Sequence, residues 1–562
     1  MSPSRIARAR RAAPSPATLL LVGLFAWLPA NLGSAQQGSA AAPAPAAPQS
    51  PAPLPWPQPL VLPPAAPPPA SSEPSASPVP PPPASPASPV PSASPPPAWP
   101  SPAPPVAPAP VGAPSTLPPA PFEVRLPPFE RVVLDNGVVL LLMEQREVPL
   151  VSVQVTIRAG GAADPRGKEG LADITAGLLR KGTKTRTAEQ LAAELDFLGT
   201  RLGGAAGMEL SYLAAEFLAK DREEGMRLLA DVLLQPVFPE KEVAKQLARM
   251  RDAVRQAKED PAEVIGQYAA RFYYGPDHPY GRPIGGDEQS LGRIKRADVV
   301  AFHRAHYVPS NALVALVGDL PLAELRDLAQ RTFGSWQGPA APPATIPPPP
   351  PFVAGRVLLV DKPDAPQTHF VFLAPGIART AADRVGVDVV NTLFGGRFSS
   401  WLMTKLRVES GLTYGAGSGF VSRSQPGHFR IRSYTETANS AKALDLTLAQ
   451  LDRLHGEGPS EVELRSVRTY LQGQYPPTVE TADQLAGILT EIEYFGLGRA
   501  EVDEYLGRVG QVDLAAARRV AAERFPKRDG VGLVLIGKAA VLRELAGRFG
   551  TVTEKPLNAP GF

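Results

Sequence analysis

Few side chains of this sequence could do chemistry, and they are unevenly placed. There is no cysteine, and the six histidines are His278, His303, His306, His369, His428 and His455, so no thiolate can act as nucleophile or metal ligand. Only His303 and His306 stand close together, in Phe302-His303-Arg304-Ala305-His306-Tyr307. That spacing puts both imidazoles on one helix face, where a metal could use them; the alternative is a packing segment leading into a strand. Asp173 and Asp252 could offer a carboxylate pair, a donor set suited to hard cations rather than zinc. Arg407 and Tyr414, seven residues apart in Arg407-Val408-Glu409-Ser410-Gly411-Leu412-Thr413-Tyr414, pair a guanidinium with a phenol, both suitable donors to developing negative charge.

The stretch Gly170-Leu171-Ala172-Asp173-Ile174-Thr175-Ala176-Gly177-Leu178-Leu179-Arg180-Lys181-Gly182-Thr183 resembles the signature of the pitrilysin/insulinase-like (M16) peptidases, Gly-Leu-Ala-His-x-x-Glu-His-Met-x-x-x-Gly-Thr. The run Arg158-Ala-Gly-Gly-Ala-Ala-Asp164-Pro165 before it fits as well, and the resemblance extends from Phe122 onward. In that family two histidines at i and i+4 bind zinc and a glutamate at i+3 activates water. The corresponding positions here are Asp173, Gly177 and Ala176. The family's later glutamate ligand falls on Ala253, counted back from Asp260-Pro261, with Asp252 one residue away. The resemblance therefore implies a degenerate zinc site with no metal and no cofactor on this chain. It also implies that Arg407 and Tyr414 hold substrate backbone and stabilise an oxyanion, and that Leu393-Phe394-Gly395-Gly396-Arg397-Phe398-Ser399-Ser400 is the glycine-containing segment ahead of that helix.

Residues 1–35 carry Arg5, Arg8, Arg10 and Arg11, an apolar run from Thr18 to Leu28 and a small-residue Gly33-Ser34-Ala35 site, the pattern of a signal peptide. An exported chain, periplasmic or associated with the cell envelope, is expected, tethered to a membrane only if the signal is retained. Loss of this segment turns the formal charge from +3 to −1, and no basic patch interleaved with aromatics suggests nucleic acid. Residues 36–121 hold 35 of the 69 prolines and one charge, Glu73. That composition buries too little apolar surface to fold and predicts a disordered Pro/Ala/Ser-rich linker.

From Glu123 strands and amphipathic helices alternate. Val132 to Leu140 predicts a hairpin turning at Asn136-Gly137, Val151 to Ile157 a strand, and Gly203 to Gly207 a turn. Helices are predicted over Ala188–Leu198, capped by Thr187 with Gln190 three residues on, over Glu223–Leu234, and over 240–259 behind Pro239. The pattern then recurs. Val151–Ile157 returns near His369–Leu373, and Leu313–Gly318 returns as Leu533–Gly537, at nearly equal offsets.

The expected fold is α+β: tandem duplicated modules, each a mainly antiparallel sheet with packed helices, over 122–338 and 353–555, joined by a Pro-rich linker at 339–352. By resemblance, the expected function is a non-catalytic subunit. It would form a heterodimer with a zinc-motif M16 subunit, which carries the zinc, and lend Arg407 and Tyr414 to hydrolysis of peptide substrates. The alternatives are a structural or scaffold protein of this fold and, less consistent with Ala176, an active metallopeptidase.

Overall fold

The computed structural model describes residues 123–343 and 345–562; the expected signal peptide and the 36–121 linker lie outside the described residues. Two six-stranded sheets form the frame. The first contains β1 (Phe129–Val133), β2 (Val139–Glu144), β3 (Leu150–Ile157), β4 (Arg201–Ala206), β5 (Ser211–Leu218) and β6 (Ala312–Gly318), in the order β1-β2-β6-β3-β5-β4. The second contains β7 (Arg356–Asp361), β8 (Gln367–Pro375), β9 (Ala416–Val421), β10 (His428–Glu436), β11 (Gly532–Gly537) and β12 (Thr551–Pro556), in the order β12-β7-β11-β8-β10-β9. Most neighbours are antiparallel, while β2 with β6, β11 with β7, and β12 with β7 are parallel.

The duplication is visible strand for strand, with β3 and β6 answered by β8 and β11. One edge breaks it. β1 folds back antiparallel on β2 from the chain before it, whereas the equivalent edge is filled by β12, which arrives from the far end of the module and runs parallel to β7.

The first module contributes α1 (Leu171–Leu178), α2 (Ala188–Phe197), α3 (Arg222–Leu234), α4 (Glu240–Ala257), α5 (Pro261–Tyr274), α6 (Glu288–Arg293), α7 (Arg296–His306) and α8 (Leu322–Phe333). The second contributes α9 (Arg384–Asn391), α10 (Trp401–Met403), α11 (Ser440–Gly456), α12 (Glu461–Gln474), α13 (Ala482–Phe495), α14 (Ala500–Asp503), α15 (Tyr505–Gln511), α16 (Leu514–Arg524) and α17 (Ala539–Gly547). Start signals act as their chemistry requires: Thr187 and Gln190 form a reciprocal capping box on α2, and Asp260 caps α5 ahead of Pro261 at its first turn.

Two helices cross between modules. The apolar stripe of α13, with Leu485, Ile488, Leu489 and Ile492, joins one buried cluster with Val139, Leu141, Met143, Leu313, Ala315 and Val317 of the first sheet. Conversely, Val264, Ile265, Tyr268 and Tyr273 of α5 share a cluster with Val360, Val371, Leu373, Val534 and Ile536 of the second sheet. Each sheet is thus covered on one face by helices of its own module and on the other by a helix lent by its neighbour. Polar contacts fix the exchange: Gln154 Nε2 donates to Thr490 Oγ1 at 2.7 Å, and Arg131 makes a two-pronged bridge to Glu493 at 2.8 and 2.9 Å.

Two local expectations are corrected. At the first hairpin only Gly137 has a positive φ, 93°, because the loop is longer than a two-residue turn and closes through Gly137 N–H to Leu134 O. Gly203 to Gly207 is mostly strand, the edge strand β4, rather than a turn. A side chain at Gly204 would place its Cβ 2.5 Å from the Ala176 carbonyl oxygen, so the glycine lets β4 lie against α1.

Because α13 forms the cover of the first sheet, Leu489→Ala, at a position 1% exposed, is expected to destabilise the chain by about 2–5 kcal/mol. Chemical denaturation followed separately by Trp336 in the first module and Trp401 in the second should show both modules losing structure in one shifted transition.

Candidate functional site

Helix α1 starts at Gly170, whose φ of 101° only glycine adopts readily. The buried Asp164 carboxylate caps it, accepting the N–H groups of Gly170 and Ala172 at 2.8 Å each. Burial pushes the Asp164 carboxyl well above its usual range, with those two donors pulling the other way. Asp164 stands in the run that carries the family resemblance, but its capping role is not readable from sequence, since an acid just before a helix can be either cap or surface residue.

The positions where zinc ligands are expected do not fit zinc. Asp173 lies against β4, where the Ala206 N–H holds its carboxylate, and burial raises its pKa to about 6. Ala176 is buried. A Cβ at Gly177 would meet nothing within 4 Å, so space for a side chain exists there but no donor fills it. Ala253 on α4 is half-buried, while Asp252 is exposed and bridged to Arg255 at 3.2 Å. Among the described residues no three His, Cys, Asp or Glu side chains converge to hold a metal ion. One buried carboxylate and one exposed, ion-paired carboxylate, with neither imidazole nor thiolate, are not a zinc donor set.

The histidines are engaged in packing. His303 Nε2 meets the Leu233 carbonyl at 2.9 Å and its ring stacks on Tyr307. His306 packs on Phe302, and burial lowers the pKa of both imidazoles. His278 donates to Pro347 O and accepts from Tyr280 N–H. His428 is buried and hydrogen-bonded to Tyr274, His369 stacks on Tyr434, and His455 lies 2.9 Å from Pro526 O.

Arg407 and Tyr414 do come together. The chain from Thr404 to Glu409 is wound as a π-helical turn, and Gly411, with φ 61°, ends it so that Leu412 N–H closes onto Leu406 O at 2.9 Å. The Arg407 guanidinium carbon sits 4.2 Å from the centre of the Tyr414 ring and 4.8 Å from that of Phe398. It also donates to Tyr414 O at 3.3 Å. Both rings are exposed, Tyr414 by 70% and Phe398 by 66%, so a cation sandwiched between two aromatics stands on the surface. Phe398 was not foreseen as part of this unit; its place in the glycine-containing segment was the only signal. Glycine is required there, since a Cβ at Gly395 would fall 2.4 Å from Ser418 Oγ on β9.

Beside the π-helical turn is a cavity of about 320 Å³ lined by Arg397, Trp401, Lys405, Glu409, Arg453 and Glu463 among others. Most of its charge is neutralised within it, through Lys405 with Glu409 at 2.8 Å and Arg453 with Glu463 at 3.1 Å.

Comparison with known proteins places this geometry. The family model for insulinase (peptidase family M16) matches residues 139–285, and that for the peptidase M16 inactive domain matches residues 293–471. An uncharacterized zinc protease of Mycobacterium leprae is 26% identical over 419 residues, covering 72% of this chain and 91% of that protein. The uncharacterized zinc protease YmxG of Bacillus subtilis is 22% identical, covering 72% of this chain and 98% of that protein. Among solved structures, a peptidase M16 inactive domain from Pseudomonas fluorescens superposes with a TM-score of 0.69 at 24% identity, covering 73% of this chain and 98% of that one. A protease from Helicobacter pylori superposes with a TM-score of 0.68 at 19% identity, over 73% and 100% of the two chains. The chain belongs to peptidase family M16. Residues 293–471 match the model of the family's inactive domain, and α1 carries Asp173, Ala176 and Gly177 where the family's zinc ligands and general base would stand.

The Asp173 carboxyl is harder to ionise in the folded chain than in the unfolded one, so the folded state holds the extra proton. Its contribution to stability is therefore present below about pH 4 and lost as pH rises toward 6. Asp173→Asn keeps an acceptor for the Ala206 N–H and removes the buried charge. It is expected to raise stability at pH 8 by about 1–3 kcal/mol, a gain that vanishes by pH 4; denaturation midpoints at the two pH values check it.

Proposed function

We propose that this chain is an exported, non-catalytic M16 subunit that pairs with a zinc-bearing M16 subunit and supplies Arg407 and Tyr414 to peptide hydrolysis. The observation that carries this reading is the exposed arrangement of Phe398, Arg407 and Tyr414. A phenol kept for packing belongs in a core; here Tyr414 is exposed, and the half-buried Arg407 stands over its ring at the end of a π-helical turn. Arg407 has no carboxylate partner among the described residues, which leaves its donors available to a peptide carbonyl or to an oxyanion.

The division of labour follows from the chemistry. A chain without imidazole ligands at 173 and 177 and without a carboxylate at 176 cannot itself activate a zinc-bound water by the family's mechanism. It can still orient a peptide and place positive charge near the reacting carbonyl. The zinc, the water and the general base then belong to the partner. Export rests on the Arg-rich, apolar and small-residue pattern of residues 1–35; a periplasmic or envelope location follows from it.

The purified chain is expected to contain no stoichiometric zinc and to cleave no peptide alone, and to raise the activity of a co-expressed zinc-motif subunit above that of the subunit by itself. In that pair Arg407→Ala and Tyr414→Phe are expected to lower kcat by about tenfold or more, with the melting temperature little changed because Tyr414 is exposed and Arg407 half-buried without an ion pair among the described residues. Normal pair kinetics in both variants would leave a scaffold role; stoichiometric zinc with cleavage by the single chain would overturn the reading.

A further inference from the structure

The face of β10 turned to the α5 side carries an arrangement the proposed activity has not used, with Arg430 half-buried and Arg432 exposed. Phe429, Ile431, Ser433 and Thr435 point into the core, so Arg430, Arg432 and Tyr434 point the other way. Opposite them on the edge strand β9, Gly419 pairs with Arg430 and Gly417 with Arg432, leaving no side chain to cover the arginines from that side. Arg423, in the loop joining the two strands, closes one end. Its guanidinium lies 4.7 Å from the Tyr280 ring centre, and its buried Nη1 has no hydrogen-bond partner.

None of the three guanidiniums forms an ion pair with a carboxylate among the described residues, although this chain bridges most of its other arginines. Glu209, the acid in the neighbourhood, is occupied by Tyr280 and Ser424. Arg430 feels its neighbours as repulsion: burial, then Arg432 and Arg423, lower its pKa to about 10. Three cations crowded on one glycine-floored face cost free energy that no ion pair among the described residues offsets. An anion would offset it.

We propose that the face formed by β9 and β10, with Arg430 and Arg432 along it and Arg423 at its end, binds acidic side chains of an extended peptide. The occupant is a peptide rather than a small anion because the face is long and continuous with the Arg407 unit. Gly417 stands three residues from Tyr414, on the order of 10 Å along an extended chain, and a Cβ on Gly415 would lie 3.8 Å from the Tyr434 ring. A peptide held at Arg407 and Tyr414 would therefore run over Arg432 and then Arg430. The inference rests on the reading of this chain as a peptide-binding subunit and specifies its preference: substrates with glutamate or aspartate a few residues from the bond presented at Arg407.

Fluorescence anisotropy of the full chain with a labelled deca-glutamate peptide, against deca-lysine and deca-serine, tests it without a partner subunit. Deca-glutamate is expected to bind preferentially and to weaken as salt is raised. Arg432→Glu, at an exposed position, is expected to weaken binding roughly tenfold or more, and Arg430→Gln with Arg432→Gln to do the same. Arg519→Glu, an equal charge change at another exposed site, should leave it within about twofold, a shift of under half a kcal/mol. Equal binding by deca-lysine, unchanged affinity in Arg432→Glu, or saturation by inorganic phosphate with no peptide binding would each overturn the proposal. Because the assay omits the zinc subunit, such a failure is separable from failure of the pairing role, which only the pair's kinetics report.

Discussion

The exchange of α13 and α5 between modules is the constraint on which the rest of the structure depends. A sheet buried on both faces needs a helix on each side, and the central strands here are apolar on both faces: β6 is buried at every position from Ala312 to Gly318, and β11 from Gly532 to Gly537. A module that supplied only its own helices would leave one of those faces in water. Lending α13 one way and α5 the other covers both sheets with a single device, so neither module is complete alone. Burial of each Leu or Ile on these stripes contributes about 1.5–3 kcal/mol, and four such residues on α13 outweigh any one surface interaction in the chain.

Hydrophobic burial does not by itself select one register for a lent helix, and a buried ionic cluster marks the place where α13 returns to its own module. Arg379, 4% exposed, reaches Glu491 on α13 at 2.6 Å and Glu501 on α14 at 2.7 Å. Arg384 and Asp388 on α9 lie beside them, with the Asp388 carboxyl pushed by burial up to about 7 despite both arginines. Such a cluster adds little net stability, since desolvation offsets much of the attraction. A slipped helix, however, would strand an unpaired charge in the core, a cost of several kcal/mol. The apolar stripe sets that the helix docks; the cluster sets where.

How much of this was legible in the sequence depended on the range of the signal. Strand periodicity, the capping box at Thr187 and the recurrence of the Leu313 strand near Leu533 are local patterns, and they returned two tandem α+β modules. An amphipathic stripe shows that a helix covers something but not which sheet, so the exchange of α5 and α13 could not be seen. Gly203-Gly204 suggested a turn because glycine is rare inside strands; the competing cause, close approach of β4 to Ala176, is tertiary. The side chains at 173, 176 and 177 can be named from the motif alone. That Asp173 is tied to Ala206, that Arg407 stands over Phe398 as well as Tyr414, and that Arg423 lies over the Tyr280 ring all require the fold.

A helix in the place of the family's zinc helix, without the zinc donors, is consistent once α1 is seen as structure. Leu171, Ala172, Ile174 and Leu178 are buried in the first module's core, Asp164 caps its start, and Ala176 receives β4 through Gly204. The apolar stripe of α1 holds the helix in place without imidazoles at 173 and 177, since Asp173 is tied to β4 through Ala206 and Gly177 meets nothing within 4 Å. The constraints on the second module are of the opposite kind. An arginine held between two exposed rings, and three arginines without carboxylate partners among the described residues, two on an adjoining strand face and one in its loop, add nothing to folding that apolar or neutral residues would not supply at lower electrostatic cost. Stability explains why α1 is built as it is without zinc ligands; it does not explain Arg407, Arg430 and Arg432, for which the proposed peptide surface supplies a use.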